Sequence, residues 1–148
     1  MISKSTEYAI RASVFIRLKN RENHRPGVGE IANEIEAPVA YTGKILQILT
    51  RHKLLNSMKG RGGGFFFDED KSGISMYDVI HIMQGDSTFS KCGFGLKHCD
   101  DNNPCPLHDQ YLEIREGFYE LVKSETIESL VEKIIDGTAV INRIAKFS

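Results

Sequence analysis

The chain has 148 residues and a net charge of −1, with 41% apolar and 26% charged residues. This length supports one compact domain or a small domain with an appendage, and the composition is that of an ordinary soluble protein. No apolar run reaches the roughly 18 residues that predict a membrane span. Residues 1–19 lack the apolar core and cleavage site of a signal peptide. We therefore expect a cytosolic protein.

The charge is distributed unevenly along the chain. Residues 1–67 contain 11 Lys and Arg against 5 Asp and Glu, a net charge of +6. Residues 68–148 contain 8 Lys and Arg against 15 Asp and Glu, a net charge of −7. A basic half joined to an acidic half indicates an electrostatic partner for the first half only. We therefore expect this partner to bind within residues 1–67.

The first predicted element is an amphipathic helix. Apolar residues recur at helical spacing from Tyr8 to Ile16, and Ser5 is the expected N-cap. A polar stretch that contains Pro and Gly, residues 20–27, ends the helix.

Two further helices and a hairpin follow in the prediction. A short helix covers residues 28–36, and a second helix covers residues 38–51, because a proline suits the first turn of a helix. A strand over residues 54–59, a glycine-rich turn over residues 60–64 and a returning strand over residues 65–67 come next. These proportions are typical of a winged helix-turn-helix unit.

The second half predicts more helix around one irregular segment. A helix begins at Ser75 and stops at Gly85, and residues 86–104 are irregular. A long helix from Pro106 with a sustained apolar stripe, a short helix over residues 126–135 and a helical tail over residues 139–145 complete the prediction. The expected fold class is mainly α with a small β-hairpin wing.

The exposed positions of the predicted recognition helix and wing are candidate DNA contacts. The second helix of such a motif enters the major groove, where a lysine reaches a phosphate or a guanine edge and a tyrosine bonds a phosphate. A narrow cationic hairpin tip fits the minor groove. The turn lacks the G-x-x-x-x-G-K-[ST] pattern of a nucleotide-binding loop. The candidate contacts are Ala40, Tyr41, Thr42, Gly43, Lys44, Lys59, Arg61 and Gly62.

Three cysteines, Cys92, Cys99 and Cys105, lie within 14 residues and are followed by His108. An odd number of cysteines in a cytosolic chain argues against a disulfide framework. The gaps of six and five residues exceed the C-x2–4-C pairs of structural zinc sites, and they suit thiolates that reach separate corners of an iron–sulfur cluster. Cys105 is the expected N-cap of the long helix, and His108 is a candidate fourth ligand. A carboxylate, a residue of a second subunit and His98 are alternatives.

These features together resemble the IscR/NsrR family of bacterial winged-helix transcription regulators. The resemblance covers nearly the full chain and is carried by the opening segment 6–12, Tyr41, the wing segment 59–65, the cysteine loop and the segment 126–131. The chain departs from the family in its first cysteine gap, which is one residue longer than expected. It also departs at Arg61, where proline is common, and at Gly43, where a base-reading polar side chain is common.

The resemblance implies a homodimer with two DNA-binding heads. Residues 1–67 would form the winged helix-turn-helix region. Residues 68–148 would contain a linker helix, a cysteine loop over residues 86–105 and a dimerisation helix over residues 106–123. Such regulators bind double-stranded operator DNA, and most of them act as repressors.

The resemblance also implies an iron–sulfur cluster, of the 2Fe–2S or 4Fe–4S type, that controls DNA affinity. Such a cluster reports iron–sulfur status, nitric oxide or redox stress. The three cysteines match its thiolate ligands. His108 matches the histidine ligand of one branch of the family, whereas Glu7 matches a carboxylate ligand of other branches that the partner subunit can supply. The fourth ligand therefore stays open.

Three other interpretations remain at this point. The cysteines could form a thiol switch or a zinc site in the same kind of regulator. A cluster-free regulator could respond to an effector protein. An enzyme with a cysteine nucleophile and a histidine base is disfavoured, because the sequence shows no oxyanion-forming element.

Overall fold

The computed structural model describes residues 1–144, which form a helical domain with one two-stranded antiparallel sheet. The expected mainly α fold with a hairpin wing is confirmed. Within these residues, no helix combines the length and apolar character needed to cross a membrane. The elements in chain order are α1 (Lys4–Arg21), α2 (Val28–Ile35), α3 (Val39–Arg51), β1 (Asn56–Met58), β2 (Gly64–Phe66), α4 (Met76–Gln84), a 3-10 turn (Ser87–Phe89), α5 (His108–Ser124) and α6 (Ile127–Ile135).

Helix α1 lies at the centre of the core. It contacts α2, α3, α4 and α6, and its buried face includes Phe15 and Ile16. Leu46 of α3 and Val79 of α4 are completely buried in the same cluster. Helices of the acidic half thus complete the core that the basic half forms. The division of the chain at residue 67 into a DNA-binding region and a second region stays a prediction.

Helices α4 and α6 begin side by side, which brings α6 back onto α1. Each helix starts with a capping box, in which Ser75 or Thr126 accepts a hydrogen bond from the third residue of its helix. The two starts are joined by hydrogen bonds from Met76 N to the Glu125 carbonyl, 2.9 Å, and from Ile127 N to the Ile74 carbonyl, 2.8 Å. This pairing fixes the turn between α5 and α6.

Two predicted helix caps are wrong. Ser3 rather than Ser5 caps α1, because the helix begins at Lys4 and the Ser3 hydroxyl accepts a hydrogen bond from its first turn. Cys105 does not cap α5. A turn closed by a 3.1 Å hydrogen bond from His108 N to the Cys105 carbonyl comes first, and α5 then begins at His108.

The predicted tail helix is wrong over residues 139–144, which are irregular. Gly137 has a φ of +84°, and a left-handed residue at this position ends α6. Beyond it, Ile141 packs on the core and Asn142 hydrogen-bonds the carboxylate of a glutamate on α2. Tertiary contacts therefore hold the tail in a non-helical course. Ala145, which belonged to the same prediction, lies outside the described residues.

Candidate DNA-binding surface and cysteine site

The start of α3 presents an exposed face to solvent. Ala40, Tyr41 and Lys44 are exposed on its first turns. The ring of Tyr41 lies edge-on against Tyr8 of α1, with 5.7 Å between the ring centroids. Helix α1 therefore positions one of the predicted DNA-contacting side chains.

Two other predicted contacts on α3 are less accessible, since one is buried and the other is half-buried. Instead of reaching DNA, Thr42 is completely buried, and its hydroxyl donates a 2.9 Å hydrogen bond to the Pro38 carbonyl. Gly43 is half-buried, and a Cβ on it would lie 3.8 Å from Cγ2 of Val28 on α2. That distance is an ordinary van der Waals contact, so the packing of α2 on α3 does not require glycine.

The wing tip carries the remaining predicted contacts. Strands β1 and β2 pair with Met58 opposite Gly64, and the connection between them contains Lys59, Arg61 and Gly62, all exposed. Gly62 has a φ of +76°, a conformation that glycine adopts without strain. The two cations therefore lie at an exposed glycine-rich turn, as predicted.

The wing is attached to the loop between α1 and α2. Phe65 N donates to the Pro26 carbonyl at 2.9 Å, and Phe67 N donates to Oδ1 of Asn20 at 3.0 Å. Nδ2 of Asn20 donates in turn to the Phe65 carbonyl at 3.3 Å. These bonds hold β2 against the end of α1, so the wing has a defined place relative to the helices.

Arg25 is a further cation of the wing that the sequence patterns missed. Its guanidinium lies 4.0 Å from the ring centroid of Phe66, and its Nη1 lies 3.3 Å from Sδ of Met58. A Cβ on Gly64 would stand 2.1 Å from the Arg25 carbonyl, so only glycine allows this approach. The sequence signal that could have identified Arg25 is a cation directly before Pro26. It lies in the polar stretch that was predicted only to end the first helix.

A second candidate site forms where the cysteine loop meets α5. Sγ of Cys99 lies 3.8 Å from Nδ1 of His108, and Oδ1 of Asp101 lies 3.1 Å from Nε2 of the same ring. One ligand atom from each of these three residues lies within 4.8 Å of the others. The grouping could hold a metal, and Asp101 is a member that the sequence patterns did not identify.

Cys92 and Cys105 lie close to each other on the same loop but are not members of this grouping. Cys92 is buried, and the backbone of Phe94, Gly95 and Leu96 and the side chain of Cys105 lie close to its thiol. Burial raises the pKa of the Cys92 thiol, but these neighbouring groups together outweigh burial and hold this pKa below its ordinary value. The loop thus stabilises a thiolate at Cys92.

Two other predicted ligands lie outside this grouping. Glu7 is exposed on α1, and its carboxylate lies 3.7 Å from Nζ of Lys4. His98 is exposed on the cysteine loop. Among residues 1–144, the grouping of ligand atoms that could hold a metal therefore contains His108 and neither of these residues.

The side chain of Gln84 joins the cysteine loop to α1. Its Oε1 accepts hydrogen bonds from Ser3 N at 3.0 Å and from the Thr6 hydroxyl at 2.7 Å. Its Nε2 donates to the Met1 carbonyl at 3.3 Å and to the Thr88 hydroxyl. All four hydrogen-bonding positions of the amide are filled, so the start of α1 and the start of the loop are held to one side chain.

Curated relatives match most of the chain. HTH-type transcriptional regulator NsrR of Oceanobacillus iheyensis is 25% identical over 132 residues, which cover 88% of this chain and 89% of the relative. HTH-type transcriptional regulator IscR of Photorhabdus laumondii is 22% identical over 137 residues, which cover 91% and 82%.

Solved structures share the fold. CymR, the global cysteine regulator of B. subtilis, matches with a TM-score of 0.71 and 20% identity over 89% of this chain and 96% of that one. IscR of T. potens matches with a TM-score of 0.71 and 15% identity over 95% and 92%. The family model Rrf2, described as an iron-dependent transcriptional regulator, matches residues 2–133. The chain belongs to the Rrf2 family, whose members are DNA-binding transcription regulators and not enzymes.

Proposed function

We propose that this chain is a cytosolic homodimeric repressor whose operator affinity is controlled by an iron–sulfur cluster. The cluster would be held by Cys92, Cys99, Cys105 and His108. The observation that carries this proposal is the meeting of the cysteine loop with His108 at the start of α5. The relatives named NsrR and IscR and the iron-dependent description of the family support it.

The donor set of the site fits an iron–sulfur cluster. Thiolates and an imidazole nitrogen are ligands that such clusters accept, and the neighbouring backbone groups hold the pKa of the Cys92 thiol below its ordinary value. When bound, the cluster supplies an iron centre that reacts with oxidants and nitric oxide. Glu7 remains the alternative fourth ligand, supplied across the dimer to the partner subunit's cluster.

An exposed apolar stripe on α5 supports the proposed dimer. Leu107, which directly precedes α5, and Ile114 and Leu121 within it are 45%, 60% and 50% exposed and lie seven residues apart. Tyr111 and Phe118 lie between them and are half-buried. A repeat of this spacing is the pattern by which two helices pack along a common seam. We therefore place a second copy of the chain on this face.

The proposed control acts through the relative placement of the two heads. A cluster would fix the cysteine loop, which Gln84 joins to the start of α1, and Tyr8 of α1 contacts Tyr41 on α3. Half-sites on DNA have a spacing set by the double helix, so a small displacement of each head costs affinity. The proposed DNA surface consists of Ala40, Tyr41, Gly43, Lys44, Lys59, Arg61, Gly62 and the added Arg25.

Anaerobic purification tests the proposal directly. We expect a coloured protein that contains iron and sulfide and whose operator affinity changes when the cluster is removed. His108→Ala should loosen the cluster, whereas His98→Ala, which changes an exposed imidazole on the same loop, should not. Cluster loss on Glu7→Ala alone would transfer the fourth-ligand role to Glu7. A colourless, iron-free protein would contradict the cluster.

A thiol switch is a second candidate, because the side chain of Cys105 lies close enough to Cys92 to lower the pKa of its thiol. Hydrogen peroxide would take two electrons and two protons from the pair, forming one disulfide and two water molecules. In that case oxidation should remove two titratable thiols and change operator affinity in metal-free protein. Cys105→Ser should abolish both effects. Metal analysis separates this candidate from a zinc site.

A further inference from the structure

We infer that Asn20 is a positioning residue that holds the wing where it reaches the same DNA duplex as α3. This inference rests on the proposed function, because it concerns the DNA surface that α3 and the wing form together. Asn20 lies in the last turn of α1 and is half-buried. The sequence predicts only a polar stretch at this place, without a role for the amide.

The outer edge of the wing is bonded to the side chain of Asn20. Its Oδ1 accepts a 3.0 Å hydrogen bond from Phe67 N, and its Nδ2 donates to the Phe65 carbonyl at 3.3 Å. Phe65 N donates to the Pro26 carbonyl at 2.9 Å. Because the N–H and C=O of one strand residue point to the same side of the strand, both bonds of Phe65 lie on the edge of β2 that faces away from β1.

A hairpin of two strands depends on such contacts for its orientation. An isolated two-stranded hairpin is marginally stable at best in water, and the sheet that the structure describes within residues 1–144 consists of β1 and β2. Phe67 is only 5% exposed, and its side chain anchors the base of the hairpin in the core. Loss of the Asn20 amide should therefore leave the fold intact and loosen the orientation of the hairpin.

An amide suits this position because it donates and accepts hydrogen bonds at once. Besides its two bonds to β2, Nδ2 of Asn20 donates to the His24 carbonyl at 3.0 Å. One side chain thus connects the end of α1, the loop that follows it and the wing. Alanine removes all three bonds without adding a charge near the proposed DNA surface.

The position of the wing relative to α3 is thereby set through α1. Tyr8 of α1 contacts Tyr41 at the start of α3, with 5.7 Å between the ring centroids. The wing tip carries the exposed cations Lys59 and Arg61. A hairpin whose orientation is fixed before binding loses less conformational entropy when it binds. Asn20 therefore favours simultaneous contact of α3 and the wing cations with one duplex.

The salt dependence of DNA affinity tests this role in a double-mutant cycle. The probe is a set of duplexes that the full-length wild-type protein selects from random-sequence DNA. Arg61→Gln should reduce the slope of log affinity against log salt by about one in the wild type. Asn20→Ala should reduce it by about two, because Lys59 and Arg61 both lose their phosphates. Arg61→Gln should then change the slope of Asn20→Ala no further, since the two residues act together.

A purely structural role would give a different result. General destabilisation lowers the fraction of active protein, but it leaves the slope and the effect of Arg61→Gln unchanged. Asn33→Ala, which changes an exposed asparagine of α2, is the matched control and should leave the effect of Arg61→Gln intact. An equal effect of Arg61→Gln in the wild type and in Asn20→Ala overturns the inference alone. If Arg61→Gln has no effect in the wild type, the wing does not contact phosphates, and the proposed DNA surface is refuted as well.

Hydrogen exchange in the free protein gives a second measurement that needs no DNA. Asn20→Ala should accelerate exchange of the Phe65 N–H, although its acceptor, the Pro26 carbonyl, is unchanged. Amides of α3 should keep their wild-type rates. An unchanged rate for Phe65 would show that Asn20 does not hold the edge of the wing.

Discussion

Gly43 and Gly64 are glycines of the basic half with opposite structural requirements. Gly43 lies inside α3, and a Cβ there would make only a 3.8 Å contact with Val28. Gly64 has a φ of +145°, and a Cβ there would stand 2.1 Å from the Arg25 carbonyl. The first glycine costs helix stability without a packing reason, whereas the second allows the wing to approach the preceding loop.

Alanine substitutions should therefore have opposite effects on the free energy of unfolding. Gly43→Ala should raise it by about 0.5–1 kcal/mol, because alanine has the higher helix propensity. Gly64→Ala should lower it by about 1–3 kcal/mol or more, because the left-handed conformation and the contact both disfavour a side chain. Urea denaturation measures both changes. A stabilised Gly43→Ala variant with weaker operator binding would assign the glycine to DNA contact. Unchanged stability of Gly64→Ala would contradict the close approach of β2 to Arg25.

Ion pairs hold α6 against α1. Arg17 and Arg21 of α1 both contact the carboxylate of Glu128, which is 26% exposed. Partial burial raises the pKa of Glu128, but hydrogen bonds and charge from the two arginines outweigh burial and hold this pKa below its ordinary value. Because α6 belongs to the acidic half, these pairs join the two halves of the chain.

The ion pairs of Glu128 should make the free energy of unfolding depend on pH. A carboxyl whose pKa is lower in the folded state contributes stability above its unfolded value, about 4.3 for Glu, and loses it as the pH falls through the folded value. Glu128→Gln should therefore be less stable than the wild type at neutral pH, and the difference should narrow on acidification. Urea denaturation of metal-free protein across this range measures the effect. Glu22→Gln, which changes an exposed carboxylate of a surface pair, is the control. A constant difference for Glu128→Gln would contradict the assignment.

Helix α5 should carry the dimer contact along its exposed apolar stripe. Ile114→Glu places a charge at the centre of this stripe and should convert the dimer to monomers in analytical ultracentrifugation. Operator affinity should fall with it, because one head then binds one half-site. Glu116→Gln, an exposed change on the other side of α5, should leave the dimer intact. Dimeric Ile114→Glu protein would place the interface elsewhere.

The charge of the molecule is close to zero only as a total. The basic half contains the proposed DNA surface, and the acidic half contains α5 and the cysteine loop. In a dimer built on α5, phosphate attraction would therefore come from two basic heads. Each phosphate contact releases counterions, so affinity should depend on salt despite the net charge of −1.

The logarithm of the operator affinity should fall linearly with the logarithm of the salt concentration. Arg61→Gln should reduce the slope by about one for each phosphate contact that is lost. Lys97→Gln, an exposed change of equal charge in the acidic half, should leave the slope unchanged. Fluorescence anisotropy with labelled operator DNA measures these slopes. An affinity independent of salt would show that the basic half does not contact phosphates.

Local patterns predicted the helices and the wing, because periodicity, proline and glycine act over a few residues. The helices α2, α3 and α4 and the hairpin lie close to their predicted positions. The failures have a common cause. Ser3 replaces Ser5 as the cap of α1 where Gln84 holds the start of the chain, and the tail stays irregular where Ile141 packs on the core. In both places a distant contact outweighed the local preference.

The spacing of the cysteines, the division of charge and the glycine-rich wing identified the family-like features of this chain without coordinates. Only the tertiary structure showed that Asp101 faces His108, that Arg25 lies on the wing and that Thr42 is buried. Residue type and spacing limit which groups can bind DNA or metal. Which of them meet depends on hydrogen bonds and packing between segments far apart in the chain, and local periodicity carries no information about those distances.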